Sequence, residues 1–132
     1  MKIKFLINGA LNADKIIEVF NSVGWSKDKK NIIKAFEKSY YILAYDNDEL
    51  IGFARAISDY EYYTGVYDVV IKPKYQGQGV GKKMVDTIVK EFQGTYIFLT
   101  YTSGNRGFYE KCGFKDNNNA MWIPRRWKIN LI

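Results

Sequence analysis

Apolar residues follow strand-like and helix-like spacings along the chain, and these divide it into ten segments. Strand-like runs cover residues 2–7, 40–45, 50–57, 66–72, 95–100 and 120–128, the last as one strand or a pair. Helical spacing covers residues 12–21, 27–38, 80–92 and 106–112. The order β, α, α, β, β, β, α, β, α, β predicts one α/β domain, residues 1–132, with helices packed on a mixed sheet.

Side chains at the segment ends predict where elements begin and turn. Asn12 or Asp14 can cap the first helix, and Ser26 resembles the N-cap of the second. Asn47-Asp48 predicts a hairpin turn. Residues 66–72 (VYDVVIK) are so rich in β-branched side chains that they predict a strand buried on both faces.

The composition limits the available chemistry. The chain has no histidine, which excludes Ser-His and Cys-His nucleophiles and zinc sites that contain histidine. Its single cysteine excludes an internal disulfide. Lys and Arg outnumber Asp and Glu by a formal net charge of +6, which predicts affinity for an anionic partner.

The first residues do not predict a targeting segment. The opening MKIKFLING has the charges of a signal peptide, but its apolar run is broken after Ile7. No run approaches the roughly 18 apolar residues of a membrane span. We therefore expect a cytoplasmic protein that does not enter a membrane.

A glycine-rich loop between a strand and an amphipathic helix is the most informative segment. Residues 76–81 (QGQGVG) would present backbone amides at the positive end of the helix dipole, which suits a phosphate. Lys72, Lys74, Lys82 and Lys83 are expected to add positive charge around it. The loop lacks the glycine and the Ser/Thr of a Walker A motif and the third glycine of G-x-G-x-x-G.

Two motifs together resemble the GNAT superfamily of N-acetyltransferases. The first is Gln76-x-x-Gly79-x-Gly81, directly after a strand that ends in x-Pro-x-Tyr. The second is residues 107–114 (GFYEKCGF), which resemble the family's Phe/Leu-Tyr-x-x-x-Gly-Phe signature one helix and one strand later. The resemblance implies a central, mostly antiparallel twisted sheet that is splayed at an acyl-CoA site and flanked by about four helices.

The resemblance also implies a set of acetyl-CoA contacts and no metal. Loop amides would hold the pyrophosphate, and the strand before the loop would pair with the pantetheine arm and polarise the thioester carbonyl. Many members have an asparagine where this chain has Thr102, so that contact is assigned to Thr102 or Asn105. The implied contacts are Val69, Val70, Ile71, Gln76, Gly77, Gln78, Gly79, Val80, Gly81, Lys82, Thr102, Asn105, Phe108 and Lys111.

Tyr109 matches the family's tyrosine that protonates the leaving CoA thiolate. The base is open, because some members use a carboxylate on the splayed strand and others use water. Asp68 is the only acid in that strand and could be a base, a substrate anchor or a structural acceptor. Cys112 is not expected to carry the acyl group.

The acceptor side is predicted from aromatic and acidic residues. Tyr60 and Glu61 lie in an aromatic, acidic loop that could bind a cationic amine through charge and cation–π contacts, or could simply be solvated. Trp25 could face the acceptor, or serve as a core or lid residue.

The resulting hypothesis is an enzyme that moves acetyl from acetyl-CoA to a primary amine by direct attack in a ternary complex. The amine could belong to a small molecule or to a protein, and the enzyme could be a monomer or a homodimer. One alternative is a CoA-binding regulatory module without turnover. A nucleic-acid binder is not expected, because no recognised motif accompanies the charge around the loop or the small patch at Arg125, Arg126 and Lys128.

Overall fold

A computed structural model describes residues 2–124 of the chain. The helices are α1 Ala13–Ser22, α2 Lys29–Glu37, α3 Val80–Glu91 and α4 Arg106–Lys111, and short 3₁₀ turns cover Pro73–Tyr75 and Ser103–Asn105. The strands are β1 Ile3–Ile7, β2 Tyr40–Asp46, β3 Glu49–Ser58, β4 Tyr63–Ile71 and β5 Tyr96–Phe98. None of the helices in this part of the chain is long and apolar enough to cross a membrane.

The five strands form one mixed sheet in the order β1-β2-β3-β4-β5. The first four are antiparallel neighbours, whereas β5 runs parallel to β4 because α3 returns the chain across the sheet. The predicted fold class, a mostly antiparallel mixed sheet with four helices, is confirmed.

Each face of the sheet buries its own apolar cluster. Helices α1 and α2 cover one face, where Phe20 and Phe36 pack edge-on against Phe53 of β3. Helix α3 covers the other face, where Met84 and Ile88 pack on the sheet. We call these the α1–α2 face and the α3 face. Large apolar side chains buried on both faces fix the position of β4, and with it the start of the following loop.

A β-bulge in β4 interrupts its alternation. Asp68 lies opposite Arg55 and Val66 lies opposite Ala56, so Tyr67 is an extra residue with no partner on β3. Strict alternation from Val66 would turn Asp68 towards α3. The extra residue instead leaves both Tyr67 and Asp68 on the α1–α2 face, beside Arg55.

Strands β4 and β5 are paired over a short stretch only. They pair only from Tyr63 to Gly65, and within the described chain β4 has no neighbour on that side from Val66 onwards. The predicted strand 95–100 is therefore too long. The prediction that β4 is buried on both faces is also wrong. Val69, Val70 and Ile71 are only partly buried along the opening between β4 and β5.

Several predicted element ends need correction. Asn12 caps α1 as predicted, with its side chain accepting a hydrogen bond from the Lys15 amide, but Asp28 caps α2 instead of Ser26. Asp28 is the N-cap because its carboxylate accepts a hydrogen bond from the Asn31 amide in the first turn. Residues 120–124 form no strand, and the rest of the predicted strand 120–128, with Arg125, Arg126 and Lys128, lies outside the described residues.

Candidate active site

The glycine-rich loop begins where β4 ends and leads directly into α3. The Gln76 side chain donates a hydrogen bond from Nε2 to the Ile71 carbonyl at 2.9 Å, which ties the loop to the end of the strand. Gly77 and Gly79 have φ angles of +76° and +84°, a conformation that side chains with a Cβ rarely adopt. A Cβ at either glycine would meet no atom within 4 Å, so the space above both is open.

Backbone amides in this loop form a candidate anion site. No side chain or carbonyl among residues 2–124 accepts a hydrogen bond from the amides of residues 77–82. The first amides of a helix have no partner within the helix, and the helix dipole makes this end positive. A pyrophosphate fits this donor set, because its oxygens can reach amides that no Cβ shields.

The lysines near the loop do not all contribute to that site. Lys72 is buried, and its ammonium contacts Glu18 of α1 at 2.6 Å and Glu49 of β3 at 3.0 Å. Burial alone would lower the pKa of Lys72, but the hydrogen bonds to the two carboxylates outweigh it and the pKa lies above its usual value. Lys72 therefore ties α1 to the sheet, and the expectation that it adds charge to the loop is wrong.

Helix α3 presents positive charge beside the loop. A shallow hollow of about 420 Å³ runs along its exposed side and is lined by Gly79, Lys82, Lys83, Asp86, Thr87 and Lys90. Lys82 is paired with Asp86 at 2.6 Å, one turn further on. A larger hollow of about 480 Å³ lies at the start of α1 and beside α2, away from these groups.

Helix α4 packs against the start of α3 across the opening in the sheet. A Cβ on Gly81 would lie 3.2 Å from the Phe108 ring, so glycine allows the two helices to approach closely. Just before α4, the Asn105 side chain donates a hydrogen bond to the Thr102 hydroxyl at 2.9 Å. The two residues predicted as alternative pantetheine contacts are thus neighbours, and both are exposed, as is Lys111.

Tyr109 is a half-buried side chain of α4. Its ring packs edge-on against Phe108 and Phe114. Burial raises the pKa of the Tyr109 phenol, and nearby Cys112 and Asp68 raise it in the same direction. The side chain therefore holds its proton firmly and lies near enough to Asp68 to sense its charge. Burial also raises the pKa of the Cys112 thiol, which keeps it protonated and a poor nucleophile.

Comparison with known proteins identifies a family whose sequence model spans this site. The sequence model of the family described as acetyltransferase (GNAT) domain matches residues 37–116, which include β4, the loop and α4. The chain belongs to the GNAT acetyltransferase family. The predictions of that family and of an acyltransferase are thereby confirmed. GNAT acetyltransferases generally use acetyl-CoA, which agrees with an anion site at the loop.

Relatives and solved structures resemble nearly the whole chain. A protein of Pyropia yezoensis named uncharacterized N-acetyltransferase ycf52 is 32% identical over 131 residues, 89% of this chain and 75% of the relative. Histone acetyltransferase TAP1 of Glycine max is 28% identical and covers 93% of this chain, which covers 62% of it. A solved GNAT-family acetyltransferase of Streptococcus pneumoniae TIGR4 is 25% identical, with a TM-score of 0.81 over 95% of this chain and 100% of that one.

In this GNAT acetyltransferase, Asp68 forms an ion pair that the sequence did not reveal. Arg55 Nε lies 2.8 Å from Asp68 Oδ2, and Arg55 Nη1 donates to the Ser39 hydroxyl at 3.1 Å. The guanidinium also lies over the rings of Phe36 and Tyr67. A lone arginine in one apolar strand and a lone acid in the next were a usable signal, but the bulge at Tyr67 defeats a simple count of the register.

The other predicted acceptor residues do not gather around Asp68. Tyr60 packs against Phe92 at the end of α3, and Glu61 lies in the same β3–β4 turn. That turn precedes Tyr63, and Asp68 lies roughly 16 Å further along β4 at the usual rise of a strand. Trp25 is exposed between α1 and α2, with Lys27 Nζ 5.0 Å from its ring centroid.

The acidic turn is ordered by its own hydrogen bonds. Asp59 Oδ1 accepts from the amides of Glu61, Tyr62 and Tyr63. The hydrogen bonds from these amides lower the pKa of Asp59, with Tyr63 the largest contributor. Among residues 2–124, no cluster of three or more Cys, Asp or Glu side chains could hold a metal ion.

Proposed function

We propose that this protein transfers an acetyl group from acetyl-CoA to a primary amine by direct attack in a ternary complex. The observation that carries the proposal is the opening between β4 and β5, which runs from Gly65 to the loop of unpartnered amides and has Tyr109 close by. Bound acetyl-CoA supplies an acyl thioester that is activated for attack.

The cofactor contacts would come from the two sides of this opening. Amides of residues 77–82 would hold the pyrophosphate, with Lys82 and Lys111 adding charge, whereas the Gln76 amide donates to the Pro73 carbonyl. The edge of β4 at Val69, Val70 and Ile71, which has no partner strand on that side among residues 2–124, would pair with the pantetheine arm and donate to the thioester oxygen. Phe108 would form a wall of the cleft, and the Thr102–Asn105 pair would supply a polar contact.

Tyr109 would act as the general acid. A phenol with a raised pKa is protonated throughout the neutral range, so it can donate to a departing thiolate. The partly buried setting favours this transfer because few waters compete for the proton.

Asp68 would receive the acceptor amine. Its Oδ2 is engaged by Arg55, and no other group among residues 2–124 forms a hydrogen bond or ion pair with the carboxylate, so Oδ1 is available to an incoming amine. Two of the three roles left open by the sequence, base and anchor, would use this oxygen, and the third, a structural acceptor, is the one that Oδ2 has towards Arg55. A water relay is the alternative base.

Trp25, Tyr60 and Glu61 are predicted acceptor contacts for which the structure offers no shared site with Asp68. The cytoplasmic location, the monomeric or homodimeric state and the single domain of residues 1–132 also stay predictions. The acceptor could be a small molecule or a protein, and a histone acetyltransferase is among the relatives.

The direct test measures thiol release from acetyl-CoA with a panel of amines, together with acetyl-CoA binding. We expect amine-dependent release by the wild-type chain. Gly79→Glu should abolish acetyl-CoA binding, because it puts bulk and negative charge against the unpartnered amides. Binding without release for any amine would favour a regulatory CoA-binding module, and undiminished binding by Gly79→Glu would refute the loop assignment.

A further inference from the structure

An exposed apolar surface lies beside Asp68 on the α1–α2 face. Helices α1 and α2 cover β2 and most of β3, and among residues 2–124 no other helix covers the ends of β3, β4 and β5 on this face. The register places five large side chains together there, each between 41% and 59% exposed: Ile57, Tyr63, Tyr67, Tyr96 and Phe98. We call this set the aromatic floor. Its ring centroids are 6.2 Å apart for Tyr63 and Tyr96 and 6.4 Å apart for Tyr96 and Phe98.

The aromatic floor is continuous with the proposed reaction centre. Phe98 pairs with Gly65, the last residue pair before β4 and β5 separate. The Tyr67 ring lies directly over Gly65, where a Cβ would come within 2.6 Å of it. Tyr67 is also the bulge residue next to Asp68. A molecule lying on the floor can therefore reach Asp68 without crossing a helix.

Charges near the floor disfavour a polycationic acceptor. Arg55 neutralises Asp68 and lies 5.7 Å from the centroid of the Tyr67 ring. The cation–π position over Tyr67, the floor ring next to Asp68, is thus filled by the chain's own arginine. Helix α2, on the same face, adds three lysines against one glutamate.

We propose that the acceptor is a small primary amine carried on an uncharged aromatic body, which packs on the aromatic floor while its amine faces Asp68. This inference rests on the proposed function and names its substrate class. Tyrosine and phenylalanine rings pack favourably edge-on or offset against another ring, and the exposed floor gains most from an apolar occupant. A polyamine or a basic peptide would place further charges over a neutralised, apolar surface.

The test compares kcat/KM for 2-phenylethylamine, propylamine and spermidine, each of which offers a primary amine. We expect 2-phenylethylamine to exceed both other amines by roughly tenfold or more, because burial of one ring is worth at least that factor. Ile57→Ser and Phe98→Ser should remove most of this preference by lowering kcat/KM for 2-phenylethylamine. The matched control is Ile7→Ser, which replaces a similarly exposed apolar residue on the distant strand β1.

The outcomes separate this inference from the function on which it rests. Preferred turnover of spermidine, or no advantage of the ring, would overturn the aromatic acceptor and leave the acetyltransferase in place. Binding of acetyl-CoA with no turnover of 2-phenylethylamine would also overturn it. Failure to bind acetyl-CoA at all would overturn the proposed function together with the inference.

Discussion

Tyr109 owes its proposed role to where one phenol lies. It is partly buried, packed between two aromatic rings, and near the charge of Asp68. Most of the chain's 11 tyrosines lack this combination, so motif position and environment together single it out. Arg55 is its counterpart on the acceptor side, because it fixes one oxygen of Asp68, while the other has no hydrogen-bond donor among residues 2–124.

Replacing Tyr109 with phenylalanine removes the proton donor and keeps the ring. We expect kcat to fall roughly 100-fold, the lower end of general acid catalysis, while the Kd for acetyl-CoA stays within about twofold. Stopped-flow or steady-state thiol release and calorimetric binding would measure the two quantities. An unchanged kcat would remove Tyr109 as the acid.

The environment of Tyr75 should make the free energy of unfolding depend on pH. Its hydroxyl donates to Asp46 at 2.8 Å, and this hydrogen bond with burial and nearby acids raises the pKa of Tyr75 to about 12. A raised pKa favours the protonated folded state, so its contribution is complete below pH 10 and is lost as the pH rises from 10 to 12. The difference in unfolding free energy between wild type and Tyr75→Phe should shrink over that range in urea titrations. A difference that stays constant to pH 12 would contradict this.

The loop between β4 and α3 gives a test at the level of an element. Gly79→Ala places a Cβ in a left-handed conformation, which costs about 1 kcal/mol of stability, and it also shields the amides. Gly94→Ala is the matched control, because Gly94 has a φ of +92° and equally open surroundings but lies after α3. Both variants should lose similar stability in urea. Only Gly79→Ala should weaken acetyl-CoA binding, by roughly tenfold, and equal affinities would argue against the loop.

Lys72 joins α1, β3 and the end of β4 through its two ion pairs. Lys72→Met should cost about 1–2 kcal/mol in urea unfolding, a modest value because Glu18 and Glu49 stay in contact with water. Acetyl-CoA affinity should change less than twofold, since the ammonium faces these carboxylates. A large, salt-sensitive loss of affinity would show that Lys72 serves the cofactor after all.

On the scale of the whole molecule, a ligand held between β4 and α4 should stabilise the entire fold. At 100 times its Kd, acetyl-CoA contributes about 2.7 kcal/mol. For a domain of this size that corresponds to a rise in Tm of roughly 10 °C. A fluorescence melting curve measures it, and CoA lacking its pyrophosphate half, such as pantetheine, is the control expected to give little change. An equal shift with pantetheine would show that the loop adds little.

Sequence patterns predicted the order of the elements from β1 to α4, the sheet type and the loop, because these follow from apolar spacing and from glycine positions. They could not predict how short β5 is. Its end is set by where it stops pairing with β4, and apolar spacing within one segment does not show that. The Arg55–Asp68 pair was hidden by an inserted residue, and the engagement of Lys72 depends on acids that are distant in sequence. Predicting the aromatic floor would also require the strand register, because its members come from three strands.

The extra residue at Tyr67 has a consequence for how such an enzyme can change over time. A bulge places two successive side chains on one face, so loss of that residue would keep Asp68 and every later position of β4 on its present face. A single-codon deletion would therefore preserve the cofactor half of the molecule while removing a ring from the acceptor half. In a protein built this way, a change in chain length is a route to a new acceptor that no substitution in the core has to accompany.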